Sequence, residues 1–235
     1  MTSITTLGAA VGALLGGPFS DYCGRKPAIF LGDALFVSGS LVLALAGSIT
    51  VLIIGRLILG FGVGIAAMVV PIYLSESAPS AVRGRIVTVN ILFIVLGQFL
   101  AYLICYALHT NWRWMLGIAA APAVIQAFGM LFMPESPRWL LKIDRYQKAV
   151  DSMRRMFNTE NQEALSEMNL EIDQIKHALA NEGQLSFKEQ VSKLFRTYWK
   201  GVLVGVMLQV WQQLAGINTA LYYGPNIIED AGFGG

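Results

Sequence analysis

The chain of 235 residues carries 17 Lys and Arg against 15 Asp and Glu, a net charge of only +2, and 55% of it is hydrophobic with 14% charged. A soluble domain has about a quarter of its residues charged, and a nucleic-acid partner demands concentrated basic charge. The balance therefore excludes nucleic-acid binding and points to a membrane protein.

Charge is scarce before Pro134 and frequent after it, as expected of a membrane domain followed by a water-exposed insert. Taken in chain order, the first apolar stretch is at 4–20. It lacks a basic leader and a cleavage site, so it reads as a span and not as a signal peptide. From Pro27 to Leu74 only Asp33 and Arg56 are charged. At about 20 residues per crossing that stretch holds two helices, 28–47 and 51–73, turning at Gly47-Ser48-Ile49-Thr50. Spans at 86–107 and 113–133 follow. The insert at 134–199 contains RYQKAVDSMRRMF and ALSEMNLEIDQIKHAL, whose apolar residues recur at helical spacing between charges. A last span reads at 200–222, within a closing segment 200–235.

Basic residues set the orientation. Arg25, Lys26, Arg83, Arg85 and the eleven Lys and Arg from Arg138 to Lys200 fall on one side, fifteen of the seventeen in the chain. The positive-inside rule makes that side, and the 134–199 insert, cytosolic. Gly60, Gly62 and Gly64 imitate a nucleotide loop, but they lie mid-helix with no strand before them and no lysine after, so they read as helix-packing positions. Cys23 and Cys105 form no disulfide framework, His109 and His177 have no metal-ligand companions, and no HExxH, GxSxG or GxxxxGK[ST] motif is present. No enzymatic activity, cofactor or metal is expected.

Five motifs stand in order along this frame: GGPFSDYCGRK at 16–26, GRLILGFGVG at 55–64, PIYLSESAPSAVRGR at 71–85, PESPRWL at 134–140 and QQLAGIN at 212–218. Together they resemble the sugar porter family of the major facilitator superfamily over essentially the whole chain. The resemblance implies an all-α major facilitator fold, incomplete here. About six of the family's twelve helices, resembling helices two to seven, would be present, with 1–133 as an N-terminal half lacking its first helix. It also implies a multi-pass protein of the lipid bilayer, by family default the plasma membrane.

The resemblance assigns roles. Gln212, Gln213 and Asn218 match substrate-contacting amides on the seventh helix. Gln209 joins their face by helical spacing. An amide both donates and accepts, which suits vicinal hydroxyls; the alternative role for these groups is glue between helices. Tyr222 and Tyr223 would gate the site. Asp21, Arg25, Lys26, Glu76, Arg83, Glu135 and Arg138 would form ion pairs that close the cytosolic side, Glu76 with Arg83 and Glu135 with Arg138 among them. Arg56 matches an arginine that, in proton-coupled members, faces an aspartate on the first helix, and it would tune that acid. The alternative for Arg56 is a structural arginine reaching for carbonyls.

Glucose facilitators of the family usually carry a sugar-binding glutamine seven residues after the RG glycine, where this chain has Ile91. RGRIVTVNILFIVLGQF at 83–99 and WRWMLGIAAAPAVIQ at 112–126 look like the proton/myo-inositol symporter branch, with Asn90 and Gln98 as polar candidates; Gln126 is equally well a packing residue. The expectation is proton-coupled myo-inositol symport by alternating access, with the polyol and protons as partners. Alternatives are a facilitative hexose transporter and, in another class, a truncated membrane protein that interacts without transporting.

Overall fold

The computed structural model describes residues 2–80, 82–108, 111–156, 162–183, 189, 192 and 195–216. Their helices are α1 (Thr2–Cys23), α2 (Arg25–Ala44), α3 (Ile49–Ser77), α4 (Arg83–Ala107), α5 (Trp112–Ile118), α6 (Ala120–Phe132), α7 (Pro137–Lys142), α8 (Tyr146–Met156), α9 (Gln162–Gly183) and α10 (Trp199–Leu214). Among the described residues, five stretches are long and apolar enough to cross a membrane: Ser3–Cys23, Arg25–Ala44, Ile49–Ser77, Arg83–Ala107 and Trp112–Phe132. The last consists of α5 and α6, which divide at Ala119. Pro122 accounts for the break, because it has no N–H for the Ile118 carbonyl and its ring crowds that group.

The chain divides into residues 1–176 and 177–235. In the first unit α3 packs between α1 and α2, and α2 also meets α5 and α6. The sequence determines this by size more than by polarity. Along α1 the buried residues are Gly8, Gly12, Gly16 and Ser20, spaced by four, while Leu7, Val11, Leu14 and Leu15 face outward. Small residues inside and large apolar residues outside is the pattern of helices that pack in lipid. A side chain on Gly64 would run into the backbone of α1 at the Ala9 carbonyl, and one on Gly62 would lie 2.8 Å from the Gly32 carbonyl of α2. The packing role expected of Gly60, Gly62 and Gly64 is what the helices display: Gly60 and Gly64 admit α1, and Gly62 admits α2.

A core of Ala28, Ile29, Ile65, Val69, Tyr73 and Met130 joins α2, α3 and α6. In the insert, Val150 and Met153 of α8 pack on Met168 and Ile172 of α9, the amphipathic pairing its charge pattern implies. No residue of α4 is buried, and large apolar groups from Val89 to Tyr106 are exposed around it.

In the second unit α10 ends at Leu214, short of the expected 200–222 span. Gly216 stops it by taking φ +69°, a left-handed conformation that glycine adopts without cost, and its N–H returns to the Gln213 carbonyl at 3.0 Å. Residues 217–235 lie outside the described residues.

Candidate functional site

The densest polar arrangement lies where α1 ends, α2 begins, and α3 and α6 terminate. Gly24 separates α1 from α2 with φ +107°, and a side chain there would stand 2.7 Å from Glu135 Oε2. That opening admits the Glu135 carboxylate to the first turn of α2. It accepts from the backbone N–H groups of Arg25 and Lys26, both at 3.1 Å, and from that of Ser136 at 2.9 Å. Helix N-termini offer unsatisfied donors and partial positive charge, so a carboxylate is favoured there.

Arg25 is the centre. Its Nε and Nη2 donate to the two oxygens of Glu76 at 2.8 and 2.9 Å. Nη1 donates to Asp21 Oδ1 at 2.8 Å and to the Ser20 carbonyl at 3.0 Å. This planar fork is a geometry lysine cannot supply. The Arg25 and Glu76 side chains are 9% and 8% exposed, whereas Asp21 is 53% exposed, so the Glu76 pair carries most of the desolvated charge. Ser136 Oγ adds a third donor to Glu76 at 2.6 Å.

Further bonds lash neighbouring elements to this core. Lys26 Nζ donates to the carbonyls of Leu131 and Met133, at the end of α6. Tyr73 donates to the Pro134 carbonyl at 2.8 Å, and Trp139 Nε1 to the Asp21 carbonyl at 3.0 Å. Ser152 of α8 donates to the Glu135 carbonyl at 2.6 Å, and Lys142 reaches Asp21 at 3.6 Å.

The expected partnering is therefore redrawn in part. Asp21, Arg25, Lys26, Glu76 and Glu135 are gathered in one network. Glu76 belongs to Arg25, while Arg83 pairs with Glu171 of α9 at 2.8 Å. The reason is position: Arg83 opens α4, beyond the end of α3, and comes within reach of Glu171 on α9. Ser20, Tyr73, Ser136, Trp139, Lys142 and Glu171 were not singled out from sequence; Ser20 lies within GGPFSDYCGRK, Tyr73 within PIYLSESAPSAVRGR, and Ser136 and Trp139 within PESPRWL, so those motifs carried their signal.

The amides sit elsewhere. Gln209, Gln212 and Gln213 fall on α10, all exposed within the second unit. Gln209 and Gln213 share a shallow apolar groove with Gly205, Val206, Val210 and Leu214. Asn90 is half-buried on α4, and Gln98 is exposed on the same helix. Asn218, Tyr222 and Tyr223 lie outside the described residues. Arg56 is half-buried in the second turn of α3. Chemically, the network can hold helix ends together or let them go, and α10 presents three exposed amides; neither is a catalytic constellation.

A family model described as "Sugar (and other) transporter" matches residues 1–235. Over 99% of its length the chain is 42% identical to "Probable inositol transporter 2" of Arabidopsis thaliana, covering 40% of that protein. It is also 42% identical to the human "Proton myo-inositol cotransporter", covering 99% of this chain and 36% of that one. Among solved structures, the proton:xylose symporter XylE from E. coli, bound to 6-bromo-6-deoxy-D-glucose, superposes with a TM-score of 0.79 at 29% identity. That match covers 96% of this chain and 51% of the symporter. The chain thus spans about half the length, or less, of the proteins it matches.

Proposed function

The chain belongs to the sugar (and other) transporter family, and from that premise we propose that it forms part of a proton-coupled myo-inositol symporter working by alternating access. The observation that carries this reading is the run of exposed amides on α10, where Gln209, Gln212 and Gln213 stand on a helix whose only other strongly polar side chain is Lys200 at its start. An amide both donates and accepts hydrogen bonds, as do the hydroxyls of a polyol, so the two suit one another. Gln212, Asn218, Asn90 and Gln98 are the further residues proposed to contact substrate, and Tyr222 and Tyr223 are the proposed gate. The inositol branch is favoured over a hexose carrier by Ile91, at the position where glucose facilitators of the family usually have glutamine.

In the same reading, the Arg25–Glu76 network is the cytosolic gate, shut here and parted when the carrier opens inward. Arg83 and Arg138 assist at its edge. Residues 1–133 form the N-terminal membrane half, 134–199 the cytosolic linker, and 200–235 the start of the C-terminal half. Arg56 serves proton coupling by favouring the ionised form of a facing acid.

Uptake of labelled myo-inositol, set against glucose and xylose at several pH values, tests the reading in the complete polypeptide that carries these residues. Gln213→Ala removes hydrogen bonds worth about 1–3 kcal/mol, so half-saturation for inositol rises roughly 5- to 150-fold at unchanged surface expression. Unchanged uptake removes the amide face from the site. Replacing Arg56 with Gln flattens the pH profile of uptake; a profile identical to the parent's removes Arg56 from coupling and favours the facilitative alternative.

A further inference from the structure

Asp33 is used by nothing described so far. It lies on α2 at 7% exposure, and its Oδ2 is buried without a hydrogen-bond partner. Along α2 it shares a face with Ile29, Phe36 and Ser40, through spacings of three and four. Ile29 belongs to the core with Ile65, Val69 and Met130, and the Ser40 hydroxyl is likewise buried and unpartnered. A carboxyl in the middle of a membrane-crossing helix, with an orphaned oxygen, is either paired with a cation or holds a proton.

Among the described residues no cation is at hand. The charged residues on α2 itself are Arg25 and Lys26, at its start, both engaged by Asp21, Glu76, Glu135 and backbone carbonyls. Arg25 precedes Asp33 by eight residues, about 12 Å along a helix. On α3 the level of Asp33 is marked by Gly62, Ile65 and Ala66, which face Gly32. The titratable groups of α3 lie away from that level. Tyr73 and Glu76 are toward the network, and Arg56 is beside Gly55, which meets Leu43 ten residues further along α2. On α1 the titratable groups are Asp21, Tyr22 and Cys23, at the network end, and on α5 Arg113 is exposed. The α6 sequence AAPAVIQAFGMLF contains no titratable group.

We propose that Asp33 is a proton-binding site inside the helix bundle, holding its proton while α2 is packed on α3 and releasing it to water when the two helices part. The neutral acid suits the packed arrangement, because an uncompensated carboxylate there is costly. Once water enters, the carboxylate is solvated and the proton leaves. Acid therefore favours the packed helices and alkali favours their opening. Since α2 also carries Arg25 and α3 carries Glu76, protonation of Asp33 and closure of the network draw on the same interface. The inference does not depend on proton-coupled transport; a facilitator with this carboxyl would hold the same proton.

Infrared difference spectra of the complete polypeptide in lipid nanodiscs, with isotope-labelled aspartate, test it. At neutral pH the parent shows the carbonyl band of a protonated carboxyl, lost in Asp33→Asn and lost from the parent as pH is raised. Titration of the labelled parent alone gives the same information if Asp33→Asn does not fold. Absence of the band at neutral pH overturns the proposal, since Asp33 is then ionised and paired. Hydrogen exchange of α2 amides, corrected for intrinsic rates, rises with pH in the parent and stays flat in Asp33→Asn. An equal rise in both separates the proton from helix opening and overturns the second half of the proposal. Neither readout uses inositol uptake, so its failure and that of the transport reading are distinguishable.

Discussion

At Arg25 the physics of single residues is most exposed. Its guanidinium is nearly enclosed and depends on a matching carboxylate, so the two ends of the Arg25–Glu76 pair are not equivalent to a surface bridge. Breaking a buried pair by removing one partner costs about 3–5 kcal/mol, because the other charge stays buried. Asp21 remains bound to Nη1 and offsets part of this. Glu76→Gln is therefore expected to lower the thermal unfolding midpoint clearly, with a loss nearer the low end of that range. Glu171→Gln, which releases an Arg83 side chain already 43% exposed, costs at most about 1 kcal/mol. Unfolding followed by intrinsic tryptophan fluorescence in detergent compares the two. Equal shifts would mean that burial does not rank these pairs. The carboxylates and cations of this network are legible in the sequence, since charge at helix ends in a membrane protein is conspicuous. Their partners are not, because Glu135 meets Arg25 across 110 residues and nothing local encodes which helix ends are neighbours.

Among the elements, α1 and α3 show how backbone contact replaces hydrophobic burial. Lipid is as apolar as leucine, so helices associate by close packing, and small residues permit it. The positions of five spans are readable from hydropathy, though not their ends, since α3 runs Ile49–Ser77 where 51–73 was expected, and the three glycines of GRLILGFGVG are readable as packing positions. The partner stripe Gly8, Gly12, Gly16 and Ser20 was equally present in the sequence, but a repeat of small residues does not say which helix it faces. Gly64→Val places a side chain against the Ala9 carbonyl and near the Ala13 amide, both backbone groups that cannot swing aside. The expected outcome is a severe loss of monodisperse protein in fluorescence-detected size-exclusion chromatography. Gly97→Ala, on α4 where nothing lies within 4 Å of the added carbon, leaves the yield unchanged or slightly raised, as alanine is the better helix former by about 1 kcal/mol. If both variants behaved alike, close approach would not be what holds α1 to α3.

For the whole molecule, the asymmetry of charge and the position of the network make one joint demand. The network joins α1, α2, α3 and α6 at a single end of the bundle, and Ser152 ties insert helix α8 to that same end. The fifteen basic residues assigned to one side by sequence include Arg25 and Lys26, within the network, and Arg138, Lys142, Lys148, Arg154 and Arg155, on helices α7 and α8. Positive charge is retained in the cytosol during insertion, so we expect the insert and the network to face the cytosol together. An antibody against the 138–156 segment should stain cells only after their plasma membranes are permeabilised, and protease added to intact cells should leave that segment whole. Staining of intact cells would reverse the orientation. It would turn the proposed cytosolic gate into an external one, and Arg56, near the opposite end of α3, would then lie toward the cytosol. The network's geometry would survive that result unchanged, since its bonds depend on which helix ends meet and not on which compartment they face.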